Sequence, residues 1–351
     1  MTRRAVCRWR ILRFFLALFL LAVAPAIFSP RARASRRVHP VPHFAAGQVF
    51  HYSVQARIDS TSHSSGPIAN SQGPAKLEES ISVVLRLQIL SVSGSAAAPG
   101  PARIRVTYEK AAASSNSDSY DPDIAAMDER YRKLEGQSIE FTLEPSGEIT
   151  SVTGLQGILA GESGSAIVHQ WLGQLTLSAS IPKKGIAIGE KWSSAQPIDN
   201  VPLAGLAWHT DSTYLHNEPC PAVHSELASG TAPQPLTPAP VPDECAMILT
   251  HSVITGAPDQ HRSAHDIGHQ PDRTPDIFRK NGLRTFGVWT GTGDGLTAVS
   301  LRTGMVVSVT QTGATHVDFT IMTASAQNRV RYVGDTHTQS QITLLSQSVI
   351  P

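Results

Sequence analysis

The chain has 351 residues, of which 41% are hydrophobic, 16% charged and 6% aromatic. That length suits one large domain or two smaller ones, and a net charge of +1 argues against a nucleic-acid binder. Glycine and proline, at 26 and 24 residues, are too ordinary for collagen-like repetition or wholesale disorder.

The first segment is charge-asymmetric. Residues 1–34 hold arginines at 3, 4, 8, 10, 13, 31 and 33 and no acid, so 22 basic residues face 28 acidic ones in the remainder, a net charge of −6. A basic start through Arg13, an apolar run over 14–28 and small residues at Ala32-Arg33-Ala34 read as a signal peptide cleaved before Ser35. The run is short for the ~20 residues of a spanning helix; an uncleaved anchor is the alternative. Residues 35–47 read as a flexible tail in which His39 and His43 are solvated. The mature chain is expected to be exported, periplasmic or extracellular, with no later membrane-spanning stretch.

Period-two alternation dominates from there. Phe50, Tyr52, Val54, Ala56 and Ile58 alternate with polar residues, as do Ile81 through Ile89, then Ile104, Val106 and Tyr108, each a half-buried strand. Asp121-Pro122 opens a helix with Ile124, Met127, Tyr131 and Leu134 at helical spacing and Gly136 as its stop. Ile139, Phe141 and Leu143 lead through Pro145-Ser146-Gly147 to a return strand at Ile149 and Val152. A second helix is expected from about Ser165 to Leu175, with Ile167, Val168, Trp171, Leu172 and Leu175 on one face.

The C-terminal part repeats the style. Short strands are expected at Phe286–Val288, Val299–Leu301, Met305–Val309, Val317–Ile321, Val330–Tyr332 and Ile342–Leu345. Loops are expected over 59–78, 93–102, 221–243 and 257–279, all rich in Ser, Pro, Gly or His. The fold class is therefore mainly β: antiparallel curved sheets, as a half-open barrel or two related β lobes, with two short packed helices. Residues 48–198 would form an N-terminal lobe with both helices. Residues 199–351 would form a C-terminal lobe carrying a proline-rich loop. The strand-turn-strand patterns at 139–149 and 299–306 fit a duplication or convergent hairpins.

Cys7 leaves with the signal, so Cys220 and Cys245 remain. An even pair in an oxidising compartment suggests a disulfide across the loop between them, worth roughly 3 kcal/mol through chain entropy. A metal pair or free thiols are the alternatives, without CxxC spacing to support them.

The segment Ile181-Pro182-Lys183-Lys184-Gly185-Ile186-Ala187-Ile188-Gly189-Glu190-Lys191-Trp192 resembles an element of uncharacterised exported bacterial β-rich families: a proline, an aliphatic strand, then Gly-Glu/Asp-x-Trp. Glu144-Pro145-Ser146-Gly147-Glu148-Ile149 and Leu301-Arg302-Thr303-Gly304 resemble hairpins of the same families. The resemblance extends loosely over 44–350. It implies an envelope protein and brings no catalytic residue with it. Physically, Gly189 permits a tight turn and Trp192 anchors the core.

Histidine is the unusual count, at fourteen. His261, His265 and His269 would share a face if helical and are the candidate metal ligands; Pro258, Gly268 and Pro271 argue for a flexible loop instead. Gly291-Thr292-Gly293-Asp294-Gly295 lacks the following helix of a phosphate loop and reads as a turn between strands. Gly161-Glu162-Ser163-Gly164-Ser165 is not a nucleophile elbow. The acids around Asp121 suit a helix N-terminus better than a glycosidase pair. No catalytic residue or cofactor is singled out. The leading reading is a non-enzymatic envelope or periplasmic protein that binds an amphipathic or lipid-like ligand inside a curved sheet. The alternatives are a structural or interaction protein with an envelope-protein partner, and a metal-dependent hydrolase using the His261 region.

Overall fold

The computed structural model describes residues 37–40, 42–67, 75–95, 98–118, 127–145, 149–154, 181–198, 201–221, 243–256, 273–323 and 328–349. The signal segment 1–34, the helix expected over 165–175, most of the loop 221–243, and His261, His265 and His269 lie outside these residues. The elements are β1 (Gln48–Ser65), β2 (Ala75–Ser95), β3 (Ala98–Ser117), α1 (Met127–Arg132), β4 (Ser138–Leu143), β5 (Ile149–Thr153), β6 (Lys191–Pro197), β7 (Leu206–Pro219), β8 (Glu244–Gly256), α2 (Asp276–Lys280), β9 (Leu283–Ser300), β10 (Val306–Thr323) and β11 (Arg329–Val349).

The eleven strands of the described residues form one antiparallel sheet in the order β5-β4-β3-β2-β1-β11-β10-β9-β8-β7-β6. Each neighbour is next in sequence except the central pair, where β1 runs beside β11 over eighteen register positions. Among the described residues β5 and β6 are open edges, so the sheet is not closed into a barrel.

One face of this single sheet is consistently shielded. Along β1 to β3, Phe50, Tyr52, Leu85, Leu87, Val106 and Tyr108 are buried while their sequence neighbours are more exposed. The register sets them on a common face, since directly opposite residues share one: Tyr52 lies against Leu85, and Leu85 against Tyr108. No second sheet lies over that face among the described residues, and Phe50 and Tyr52 from the middle of the sheet join Tyr214 and Ile248 from β7 and β8 in one buried cluster, as in a sheet that curls on itself. The inner face is the core side; the outer face is mostly polar, with Leu249 and Leu296 exposed on it.

Strand content exceeds the sequence expectation. Of the expected loop 59–78, residues 59–65 end β1 and 75–78 begin β2, and of 93–102, residues 93–95 and 98–102 belong to the paired strands β2 and β3. The six short C-terminal strands merge into β9, β10 and β11, of 18, 18 and 21 residues, each about 60–70 Å long. Segments rich in Ser and Thr persist as strands because the ladder satisfies their backbone and their hydroxyls pair across it. Thr210 and Ser252 meet at 2.8 Å, as do Thr107 and Ser138. The turn expected at Gly291–Gly295 lies inside β9, and Leu301 lies in the turn after it.

Both short helices sit at strand ends. Tyr131 and Leu134, from α1 and its following turn, pack on the core, and Gly136 ends that turn at φ +77°, a conformation favouring glycine. The expected loop 257–279 lies outside the described residues up to 272, and α2, from Asp276 to Lys280, occupies its end; it follows Pro275, which lacks the N–H a helix start would leave unpaired. In the 181–192 segment the aliphatic stretch is not a strand: Ile186 makes one bridge to Val38, because Gly185 and Gly189 flank it at φ +74° and +81°. Trp192 packs against the core as expected.

Candidate functional site

The inner face changes character along the strands. At one end leucines, isoleucines and aromatics fill it. Two residues beyond Val54, the row across β10, β11, β1, β2 and β3 reads Gln311, Ser340, Ala56, Ile81 and Ala113. These five centre a groove of about 540 Å³, within the range of small-molecule sites. On β1 and β11 the space exists because Ala56 and Ser340 stand where the neighbouring rows carry Val54, Ile58, Ile342 and Thr338. Gly295 extends the row onto β9, and Gly293 faces Gly313 one pleat further out.

Beyond the groove the inner face becomes aromatic on β7 to β11. Trp208 lies opposite Ile254, Trp289 opposite Val317, and Phe319 opposite Tyr332 with ring centroids 5.3 Å apart. Leu203, Leu206 and Ile254 form a small buried cluster there, and Trp208, Trp289 and Phe319 pack against it. Trp192 shares the inner face with Ser212 on β7. The buried indole N–H groups of Trp192 and Trp289 have no partner among the described residues.

The closed end of the groove is fully buried at Tyr52 and held there by a hydrogen bond. The Tyr52 hydroxyl, fully buried, passes β11 and donates to the Val306 carbonyl on β10 at 2.9 Å. Burial pushes the Tyr52 phenol well above its ordinary value. The Tyr108 phenol is pushed up to about 12 by burial first and by Tyr131 second. Charge collects on the outer face. Arg105 and Arg103 bind Glu140 at 2.6 and 2.5 Å and hold its carboxyl below the usual range, chiefly through the Arg105 hydrogen bond. Arg331 does the same to Asp318 at 2.6 Å.

Cys220 and Cys245 form a disulfide. Asp294, from the glycine-rich stretch, holds His251 at 2.8 Å on the outer face. In α1 and the turn after it, Asp128 pairs with Arg132 and Glu129 with Lys133, each one helical turn apart. Sequence reading missed one contact made by residues 295 apart: His51 Nδ1 lies 2.9 Å from Ser346 Oγ, and its Nε2 lies 3.4 Å from Glu109. Only the β1–β11 register brings them together, on the outer face away from the groove. Among the described residues no group of three His, Cys, Asp or Glu is arranged to hold a metal ion, and no helix is long and apolar enough to cross a membrane.

No family model matches the chain. No curated protein matches it either. Among solved structures, an outer membrane channel from Pseudomonas putida F1 is similar over 87% of this chain and 97% of that one, at 8% identity and a TM-score of 0.21. A TM-score that low carries neither a fold nor a function across.

Proposed function

We propose that this chain is an exported binding protein whose inner groove takes an amphipathic or lipid-like ligand. The groove itself carries the reading: about 540 Å³ on the shielded face of a curled sheet, with Ala56, Ile81 and Ala113 as an apolar floor and Ser340 and Gln311 as a polar flank. Apolar floors with a few polar groups suit a molecule with a hydrocarbon part and a polar part. The Cys220–Cys245 disulfide fits an oxidising compartment, in keeping with the basic and apolar start of the sequence.

Three tryptophans, 192, 208 and 289, stand on the inner face and report occupancy. Titration with dodecyl maltoside below its micellar concentration should shift their emission to the blue and saturate at one equivalent. The same titration on Ala56→Phe, which fills the floor, should weaken the response at least tenfold. An unsaturable response, equal in both proteins, overturns the groove as the site. The interaction-protein reading has its own observation, the exposed Leu215, Leu249 and Leu296, two of which lie opposite one another on β8 and β9. Sedimentation that stays monomeric with and without envelope extract counts against it.

A further inference from the structure

Among the described strand residues the inner face beyond the core is almost free of charge; from outside the strands, Arg273 lays its guanidinium over Gly256 at the far end of β8. From Val54 outward, the inward-facing positions of β1, β3 and β6 through β11 are Ser, Thr, Gly, Ala, Gln and apolar or aromatic residues. Among the described strand residues of that stretch one is ionisable at neutral pH: Glu79 on β2. Its register is unambiguous, because β1 and β2 pair without a bulge. Glu79 lies opposite Ile58, and Ile81 opposite Ala56; across β3, Glu79 faces Ser115. Glu79 is thus one pleat, about 7 Å, from the groove floor and on the same face.

Among the described residues the carboxylate has no arginine or lysine paired with it. No hydrogen bond or ion pair to Glu79 is formed among the described residues, whereas Glu78, its neighbour on the outer face, reaches Arg57 at 3.6 Å. Among the described residues the groups that face Glu79 are Ile58, Ser115 and the phenol of Tyr131, which is raised by burial and by the Glu79 charge. Burial raises the Glu79 carboxyl above its ordinary value. A carboxylate set alone in a neutral, partly desolvated trough is unfavourable in the empty protein and favourable beside a cation.

We propose that the groove selects amphiphiles with a cationic amine head, the head pairing with Glu79 while the hydrocarbon part lies over Ala56, Ile81 and Ala113. This rests on the groove being a ligand site and names the ligand's chemical class. An ammonium supplies N–H donors to the carboxylate and the charge the trough lacks. An anionic head meets the Glu79 charge without compensation.

The test compares three ligands of equal chain length, decylammonium, 1-decanol and decanoate, by tryptophan fluorescence on the full chain at pH 7.5. Decylammonium should bind about tenfold tighter than decanol, as one charged hydrogen bond allows, and decanoate weakest. Glu79→Gln should bring decylammonium to the decanol affinity and leave decanol unchanged; Glu78→Gln should change neither. A second readout needs no variant: decylammonium affinity of the wild-type chain should fall on acidification as Glu79 protonates, while decanol affinity stays flat. Equal binding of decylammonium and decanol to the wild type overturns the amine preference and leaves the groove reading standing. No binding of any of the three overturns both.

Discussion

Removing the Tyr52 hydroxyl tests how dry the closed end of the groove is. Tyr52 is fully buried, its hydroxyl donates to the equally buried Val306 carbonyl, and the bond spans 254 residues of sequence. Tyr52→Phe keeps the ring and opens no large cavity. What is lost is one buried hydrogen bond, with the carbonyl left short of a partner, a destabilisation of about 1–2 kcal/mol. Urea unfolding followed by far-UV circular dichroism should show a lower midpoint at unchanged slope, since the buried surface is the same. The melting temperature should fall by about 2–4 °C per kcal/mol. Tyr332→Phe, a half-buried ring at the open end, should stay within about 0.5 kcal/mol of wild type. If Tyr52→Phe is as stable as Tyr332→Phe, water reaches Val306 and the closed end is not dry.

Alkaline pH should weaken the fold for a related reason. Tyr52 and Tyr108 have phenols raised by burial. Their contribution is complete below the unfolded value near 10 and is lost as pH climbs above it, at up to about 1.4 kcal/mol per pH unit for each phenol; Tyr108→Phe should flatten that decline above pH 10 in urea titrations. Replacing both Cys220 and Cys245 by Ser should remove about 3 kcal/mol, from a loop with a sequence separation of 25, and reductant should destabilise the wild type equally but not the variant. Gly287→Ala should cost at least about 2 kcal/mol: at φ +145° an added Cβ would stand 2.2 Å from the Asp318 carbonyl oxygen, so backbone must move. Gly136→Ala, with nothing near its Cβ position, should cost less in the same assay.

The strand-rich fold was legible wherever large apolar residues alternate. Phe50–Ile58 and Ile81–Ile89 carry enough burial to reveal period two, and both are strands at the centre of the sheet. The signal failed where the inward positions are small or hydroxylated. Ser60, Ser62 and Ser64 on β1, and Gly291, Gly293 and Gly295 on β9, resemble loop sequence, yet their outward neighbours and the cross-strand ladder keep them extended. Strands β7 and β8 went unread for that reason: Ser212, Thr210 and Ser252 supply no apolar stripe. The chain order of the sheet was not legible either, because the β1–β11 pairing joins residues some 300 apart.

The groove escaped the sequence because it is a shortage of volume spread over five strands. Ala56, Ala113 and Ser340 are unremarked residues until the register sets them side by side. Glu79 did leave a trace. It stands on the same stripe as Ile81, Val83 and Leu85, and a carboxylate on a buried stripe breaks the alternation that the strand otherwise keeps. The disulfide was legible from parity together with the oxidising compartment that the basic and apolar start suggests, since only two cysteines follow residue 34.

Native mass spectrometry of the chain purified from an exporting host, run beside Ala56→Phe, tests the central claim most directly. A groove that binds an amphipathic ligand should retain an organic adduct at one per chain in the wild type, absent from Ala56→Phe, with the two-hydrogen deficit of the Cys220–Cys245 bridge in both. An adduct kept equally by both proteins, or a wild-type chain that stays bare even after incubation with decylammonium or dodecyl maltoside, would contradict it.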